Sequence, residues 1–285
     1  MRYLTFQRPG GLPEPGVLLE DKVVALRGAG FHDLIGVLAG GSESLATVEN
    51  WIYQPAAGHT VPLSEVTVLA PILRPSKLIC VGLNYRDHAI ESNMEMPKVP
   101  TLFCKFSSAI IGPGANIVLP KNSTQPDYEA EFAFVIGTGG RHIPAEKWKE
   151  HVFGYTLIND VSARDVQLAT TQWMMGKTFD TFAPMGPWLV TRVEIHDPMN
   201  LRILTRVNGE LRQDGNTADM IHSIPKLVSY MSQMTLMPGD IISTGSPGGG
   251  ALAQPDWFLN AGDVIECEVE KIGTLINAVV DEPRS

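Results

Sequence analysis

Residues 127–137, DYEAEFAFVIG, constrain this chain more than any other stretch. In a strand, alternate residues share a face, so Tyr128, Ala130, Phe132, Phe134 and Ile136 fall on one side. Glu129, Glu131, Ala133 and Val135 fall on the other. Beyond the two acids both faces are apolar, which predicts a strand covered on both sides, deep inside a sheet. The two carboxylates stand roughly 6 to 7 Å apart along one edge and repel unless something positive lies between them. They belong at a strand mouth, not on open surface.

The rest of the chain can bury such a strand. It has 285 residues, 44% of them hydrophobic, which is enough for one large domain with a small appendage or for two domains. Strand-like runs separated by turn signals dominate: FAFVIG, GYTLIND, GPWLVT, LRILTRVNGELRQ, GDIISTG, DVIECEVE and TLINAVV. Asn208-Gly209 is the strongest hairpin signal, because a type I′ turn needs positive φ at both central positions. A second hairpin, GVLLEDKVVAL, turns at Asp21 and Lys22. Helical patterns are few: SESLATVENWIYQ, SARDVQLATTQW and HSIPKLVSYMSQM. The fold class read from this is mostly β with peripheral helices, α+β. Pro71 and Pro75 bracket the approach to the buried strand KLICVG, which sets an expected boundary between a small N-terminal domain, 1–71, and a main domain, 72–285.

Charge and cysteine usage exclude several classes. A formal net charge of -9 argues against binding a nucleic-acid backbone. No apolar run reaches the ~18 to 20 residues of a membrane span, and the first residues lack the apolar core of a signal peptide, so the expected location is the cytoplasm. Cys80, Cys104 and Cys267 lie far apart in apolar strand-like runs and read as reduced packing residues, not as a disulfide or zinc site.

Chemistry concentrates around the acids. Asp160 ends the strand GYTLIND, just before Ser162, which would cap the following helix. Two Glu and one Asp form an all-oxygen anionic set suited to Mg²⁺ or Mn²⁺. Spacing alone allows the alternative that Glu129 and Glu131 make surface ion pairs while Asp160 is only a cap. His88 and Glu91 are three apart, so they share a helix face. A carboxylate holding one imidazole nitrogen would leave the other free as a general base; an exposed pair is the plain alternative. Arg164 and Gln167 are likewise three apart, one turn beyond Asp160, and would either grip a substrate carboxylate or form a solvated face. Lys177 follows a Gly but sits in no phosphate loop, since Thr171 occupies the required glycine position. STGSPGGG is not a nucleophile elbow either; its backbone amides and the Thr244 hydroxyl would meet an anion, or it is simply a turn.

Taken in order, GLNYRDHAIES, DYEAEFAFVIG, GYTLINDVSARDVQ, GKTFDTFAPMGP, VNGELRQDGNT and PGDIISTGSPGG resemble the fumarylacetoacetate hydrolase superfamily from about residue 72 to 280, most of all its FAH-domain-containing protein 2 and acylpyruvate hydrolase-like branch. The resemblance implies a mixed β-roll, a small N-terminal domain and a homodimer. It implies that Glu129, Glu131 and Asp160 hold Mg²⁺ or Mn²⁺, that His88, Glu91 and Lys177 are catalytic, and that Arg164, Gln167 and Thr244 bind substrate. The expected reaction is metal-dependent hydrolysis of a C–C bond in an acylpyruvate. Decarboxylation of oxaloacetate and isomerisation or hydration of dienoic oxo-acids are the alternatives, with a non-catalytic metal-binding scaffold as a further one. The expected partner is a small oxo-acid. One departure stands out: where relatives carry Thr-Pro and then Gly-Val-Gly, this chain has GSPGGGALAQ.

Overall fold

A computed structural model describes residues 1–283. Its centre is a twelve-stranded sheet. Along the hydrogen-bonded path the strands run Thr60–Pro62, Lys22–Ala25, Glu14–Leu19, Arg2–Gln7, Ala183–Thr191, Val152–Asn159, Ala130–Ile136, Ile241–Ser243, Leu78–Gly82 and Thr101–Lys105. Two short strands, Thr67–Leu69 and Ile110–Ile111, join from the side. Most neighbours are antiparallel; Ile241–Ser243 lies parallel to Leu78–Gly82. A second sheet of five strands is built on Arg202–Val207 and Val264–Val269.

The strand Ala130–Ile136, which follows Glu129, lies well inside the large sheet, and all seven of its residues are buried. Its two faces enter two different cores. Phe132, Phe134 and Ile136 pack with Ile203, Ile265 and Val269, so one face of the large sheet lies on the five-stranded sheet. Ala133 and Val135 pack with Leu34, Val37, Leu38 and Val48, which come from the N-terminal helices Leu34–Ala39 and Gly41–Tyr53. Removing one fully buried Phe, Leu or Ile side chain from water contributes about 2 to 3 kcal/mol, so this strand alone anchors a substantial part of the fold.

Local turn chemistry follows the sequence. Asn208 and Gly209 have φ of 53° and 81° between Arg202–Val207 and Glu210–Asn216, the double left-handed geometry of a type I′ turn. The first hairpin turns one residue earlier than expected, at Glu20 and Asp21, with Glu20 at φ 54°. The N-terminal 71 residues do not stand apart in pairing: Arg2 and Tyr3 oppose Val190 and Leu189, which joins their strands directly to the large sheet. Cys80 and Cys267 are buried and free, but Cys104 is exposed, a correction to its reading as a packing residue. It lies on Thr101–Lys105, an end strand of the sheet path, where one face is left open. Among the described residues, no helix is long and apolar enough to cross a membrane.

Candidate active site

Strand register assembles the acids. Ala130 opposes Asn159, so the start of Ala130–Ile136 meets the end of Val152–Asn159. There the Asp160 amide donates to the Glu129 carbonyl at 2.8 Å, and the Glu129 amide donates to Asn159 Oδ1 at 3.0 Å. Asp160 is thereby fixed beside Glu129, while alternation puts Glu131 on the same face. Each of the three buried carboxylates offers an oxygen, and these atoms all lie within 4.8 Å of one another.

Three buried cations surround them. Lys177 Nζ donates to Glu129 Oε2 and, at 2.6 Å, to Asp160 Oδ2. Lys105 Nζ donates to Asp160 Oδ1 at 2.5 Å and to the Val161 carbonyl at 2.9 Å. Arg164 donates through Nε to Asp127 Oδ2 at 2.8 Å, through Nη2 to Glu129 Oε1 at 2.8 Å and through Nη1 to Gln167 Oε1 at 2.9 Å. Four carboxylates, those of Asp127, Glu129, Glu131 and Asp160, thus face three cations. The deficit falls on Glu131, which among the described residues makes no ion pair and accepts the Gly245 amide at 3.0 Å.

Proton affinities follow that division. Burial pushes the Glu131 carboxyl up, and the charges of Asp160 and Glu129 push it further, to about 8. Burial would also raise Glu129, but Arg164 and Lys177 outweigh it and hold that carboxyl well below the usual range. Burial lowers Lys105 despite Asp160, whereas at Lys177 the attraction of Asp160 and Glu129 wins and its value rises. The unbalanced negative charge, the all-oxygen donors and their spacing fit a hard divalent cation such as Mg²⁺ or Mn²⁺. The lysine bonds do not preclude this, because each carboxylate oxygen has a second lone pair.

The remaining side chains divide into wall and support. A cleft of about 70 Å³ opens over the acids, and His88, Gln167, Lys177, Phe103, Trp173 and Ser246 are among the residues that line it. Arg164 and Gln167 begin and end a single helical turn, and Lys177 ends another, Met174–Lys177. The helix expected over SARDVQLATTQW is only this one turn, Arg164–Gln167, and the second turn packs tightly on it: a Cβ on Gly176 would sit 2.4 Å from the Gln167 nitrogen, so only glycine lets the two approach so closely. Ser162 does not cap that helix, a second correction. Its hydroxyl donates to the Asp160 carbonyl at 2.9 Å and reaches Glu129 Oε2 at 3.3 Å, so it supports the acids instead.

Two expected contacts take a different form. His88 Nδ1 lies 4.0 Å from Glu91 Oε2, beyond hydrogen-bond reach, and has no partner. Glu91 Oε2 instead accepts the Gly249 amide at 2.8 Å. The Thr244 hydroxyl donates to the Phe132 carbonyl at 2.7 Å, so it is turned into the sheet and does not line the cleft; Ser246 from the same loop does. Most of the Arg164 fork is spent on Asp127, Glu129 and Gln167, which makes it a brace for Glu129. Because Gln167 Oε1 accepts from Arg164, the amide NH₂ of Gln167 is the end left for a ligand.

Sequence reasoning missed Lys105 and Asp127. Lys105 closes the apolar strand TLFCK, and a lone charge ending such a strand was the available signal. Asp127 opens the acid motif itself. It accepts from the amides of Tyr128 and Ala251, each at 2.8 Å, and so ties the 247–252 loop to Arg164.

Comparison with known proteins identifies relatives of the whole chain. Residues 77–280 match the family described as fumarylacetoacetate (FAA) hydrolase C-terminal. A mitochondrial oxaloacetate tautomerase from Rattus norvegicus is 45% identical over 294 residues, which cover 98% of this chain and 92% of that protein. One from Bos taurus is 51% identical over 224 residues, 77% of this chain and 71% of that protein. Among solved structures, a fumarylacetoacetate hydrolase from Exiguobacterium antarcticum is 37% identical with a TM-score of 0.86, covering 99% of this chain and all of that one. A maleylpyruvate hydrolase from Sphingobium sp. SYK-6, in complex with manganese (II) ion and pyruvate, is 29% identical with a TM-score of 0.83 at the same coverage.

Proposed function

Because the chain belongs to the fumarylacetoacetate hydrolase family, a family of enzymes, we propose that it catalyses divalent-cation-assisted enol–keto tautomerisation of oxaloacetate. The observation that carries this reading is His88, whose side chain lines the cleft over the acids and, among the described residues, makes no hydrogen bond to Glu91. Tautomerisation requires one group that takes a proton from carbon and returns one, and an imidazole at the cleft wall is suited to that. Identity to oxaloacetate tautomerases over nearly the whole chain supports the choice of substrate. The small cleft suits a four-carbon acid.

Glu129, Glu131 and Asp160 would hold Mg²⁺ or Mn²⁺, which when bound polarises a 2-oxo acid and makes the adjacent C–H more acidic. The Gln167 amide donates to a substrate carboxylate. The Lys177 ammonium adds positive charge at the floor of an otherwise acidic protein. Phe103 and Trp173, edge to face at 5.9 Å, wall the cleft against water. His88 moves the proton at C3.

Hydrolysis of an acylpyruvate C–C bond is the second reading, favoured by the placement of His88 and Glu91 on one helix face at 4.0 Å. It requires Glu91 to leave Gly249 and hold the imidazole so that the latter activates water. A side-by-side assay separates the two. Loss of the ultraviolet absorbance of enol-oxaloacetate, pyruvate formation from oxaloacetate and acylpyruvate cleavage are followed with metal-loaded protein. Tautomerisation far above the buffer rate, with slow cleavage and slow decarboxylation, is expected. Acylpyruvate cleavage as the dominant activity would overturn the proposal.

A further inference from the structure

A second cavity lies toward the other end of the strand that delivers Asp160. Tyr155 precedes Asp160 by five residues on Val152–Asn159, which places it roughly 16 Å from the acids along the strand. The cavity encloses about 190 Å³. Its charged and titratable lining consists of Lys149, Arg192, His196 and the phenol of Tyr155, with no carboxylate. In a chain of net charge -9, a hollow lined by exposed Lys149 and His196 and by half-buried Arg192, with no carboxylate of its own, is a local place for an anion.

None of the three is paired internally. Among the described residues, Arg192, Lys149 and His196 make no ion pair and no side-chain hydrogen bond, and the buried Nε of Arg192 has no partner. Lys149 is held over the Trp148 ring, 5.6 Å from its centroid. Of the nearby acids, Glu194 binds the N-terminal amine at 2.8 Å and Asp197 Oδ1 accepts the Met199 amide at 3.1 Å, while Glu150 faces the adjoining cavity.

The independent observation is Tyr155. The residue is fully buried, its ring stacks on Phe132 at 5.1 Å, and its hydroxyl has no hydrogen-bond partner although it belongs to a side chain that lines the cavity. A buried hydroxyl without a partner costs roughly 1 to 3 kcal/mol, so this one is made to meet something. Burial pushes the phenol up, and it therefore stays a donor at neutral pH. Tyr155 Oη and Arg192 Nε are thus two buried donors without acceptors on one hollow. The other walls, Trp148, Ile195 and Pro198, are apolar.

We propose that this cavity is a binding site for a small organic carboxylate with a flat apolar body. The carboxylate accepts from Arg192 and from the Tyr155 hydroxyl, Lys149 adds positive charge at the mouth beside His196, and the body lies against Trp148 and Pro198. A neutral molecule of the same shape leaves the cations unsatisfied, and an inorganic anion leaves the apolar walls uncovered. An adjoining cavity of about 430 Å³ shares Lys149, Arg192 and Val193 but is also lined by Glu49, Glu150 and Glu194, so only an uncharged extension of the body has room there.

Calorimetric titration with benzoate, benzamide and inorganic phosphate tests the site in the wild-type protein and in Tyr155→Phe and Arg192→Met. Tyr155→Phe keeps the stacked ring, and thermal unfolding checks that each variant is folded. Benzoate should bind the wild type, benzamide and phosphate at least tenfold more weakly. Tyr155→Phe should weaken benzoate about tenfold and Arg192→Met more, since each loses a hydrogen bond to a charged group. Turnover of oxaloacetate should be unchanged in both variants. Absence of benzoate binding, equal binding of benzoate and either control, or wild-type affinity in both folded variants would overturn the assignment.

Discussion

Replacing Glu131 with Gln isolates the unbalanced charge of the acid cluster. Without a cation the folded protein holds the Glu131 carboxyl at about 8, because of burial first and of Asp160 and Glu129 next; unfolding returns it to its usual 4.5. Between those values the folded state keeps a proton that the unfolded chain has released. Stability is therefore greatest below the lower value and falls as pH rises toward the higher one. Glu129 runs the opposite way: its depressed carboxyl contributes stability at neutral pH that is lost only in strong acid. A shift of the size seen at Glu131 is worth on the order of 4 to 5 kcal/mol, a large share of the roughly 5 to 15 kcal/mol that holds a typical domain together. Gln fills nearly the same space and does not titrate. The assay is denaturant unfolding of chelator-treated wild type and Glu131→Gln across about pH 5 to 8, repeated with excess Mg²⁺. Wild type should lose several kcal/mol relative to the variant across that interval, and Mg²⁺ should remove most of the loss by stabilising the ionised carboxylate. Parallel profiles for the two metal-free proteins would refute the reasoning.

Lys105→Met should destabilise the protein by about 3 to 5 kcal/mol in denaturant unfolding, because it leaves Asp160 Oδ1 buried without its cation; a change below about 1 kcal/mol would contradict that role. Phe132→Ala should cost about 3 to 5 kcal/mol by the same measurement, through the cavity left between the two sheets. His88→Ala should slow tautomerisation by about 100-fold or more while its unfolding midpoint stays close to wild type; unchanged turnover would remove His88 from the chemistry.

Much of this arrangement is legible in the chain because it rests on period-two alternation and turn chemistry. The doubly apolar strand after Glu131 has to lie between two cores, and it does. Asn208-Gly209 specifies its turn through backbone sterics alone. The acid triad follows from two strand ends meeting. What the sequence concealed depends on long-range contact. Lys105 reaches Asp160 across 55 positions, and no local pattern records that. SARDVQLATTQW reads as a three-turn helix, yet only Arg164–Gln167 forms one, and the packing of Gly176 on Gln167 that brings the Lys177 turn beside it is a contact no local pattern records. Ser162 and Thr244 have the residue types of a cap and of an anion ligand, yet the nearest available partners are the Asp160 and Phe132 carbonyls. Cys104 sits in an apolar run, and only its place at the end of the sheet path leaves it exposed.

Whether Glu129, Glu131 and Asp160 hold one divalent cation is measured most directly by titrating chelator-treated protein with Mn²⁺, with free ion read by electron paramagnetic resonance. Wild type should take up one tightly held ion per chain, displaced by excess Mg²⁺, and Glu131→Gln should lose that site. Free Mn²⁺ rising in step with added Mn²⁺ in the wild type, or a site that survives intact in Glu131→Gln, would contradict that assignment.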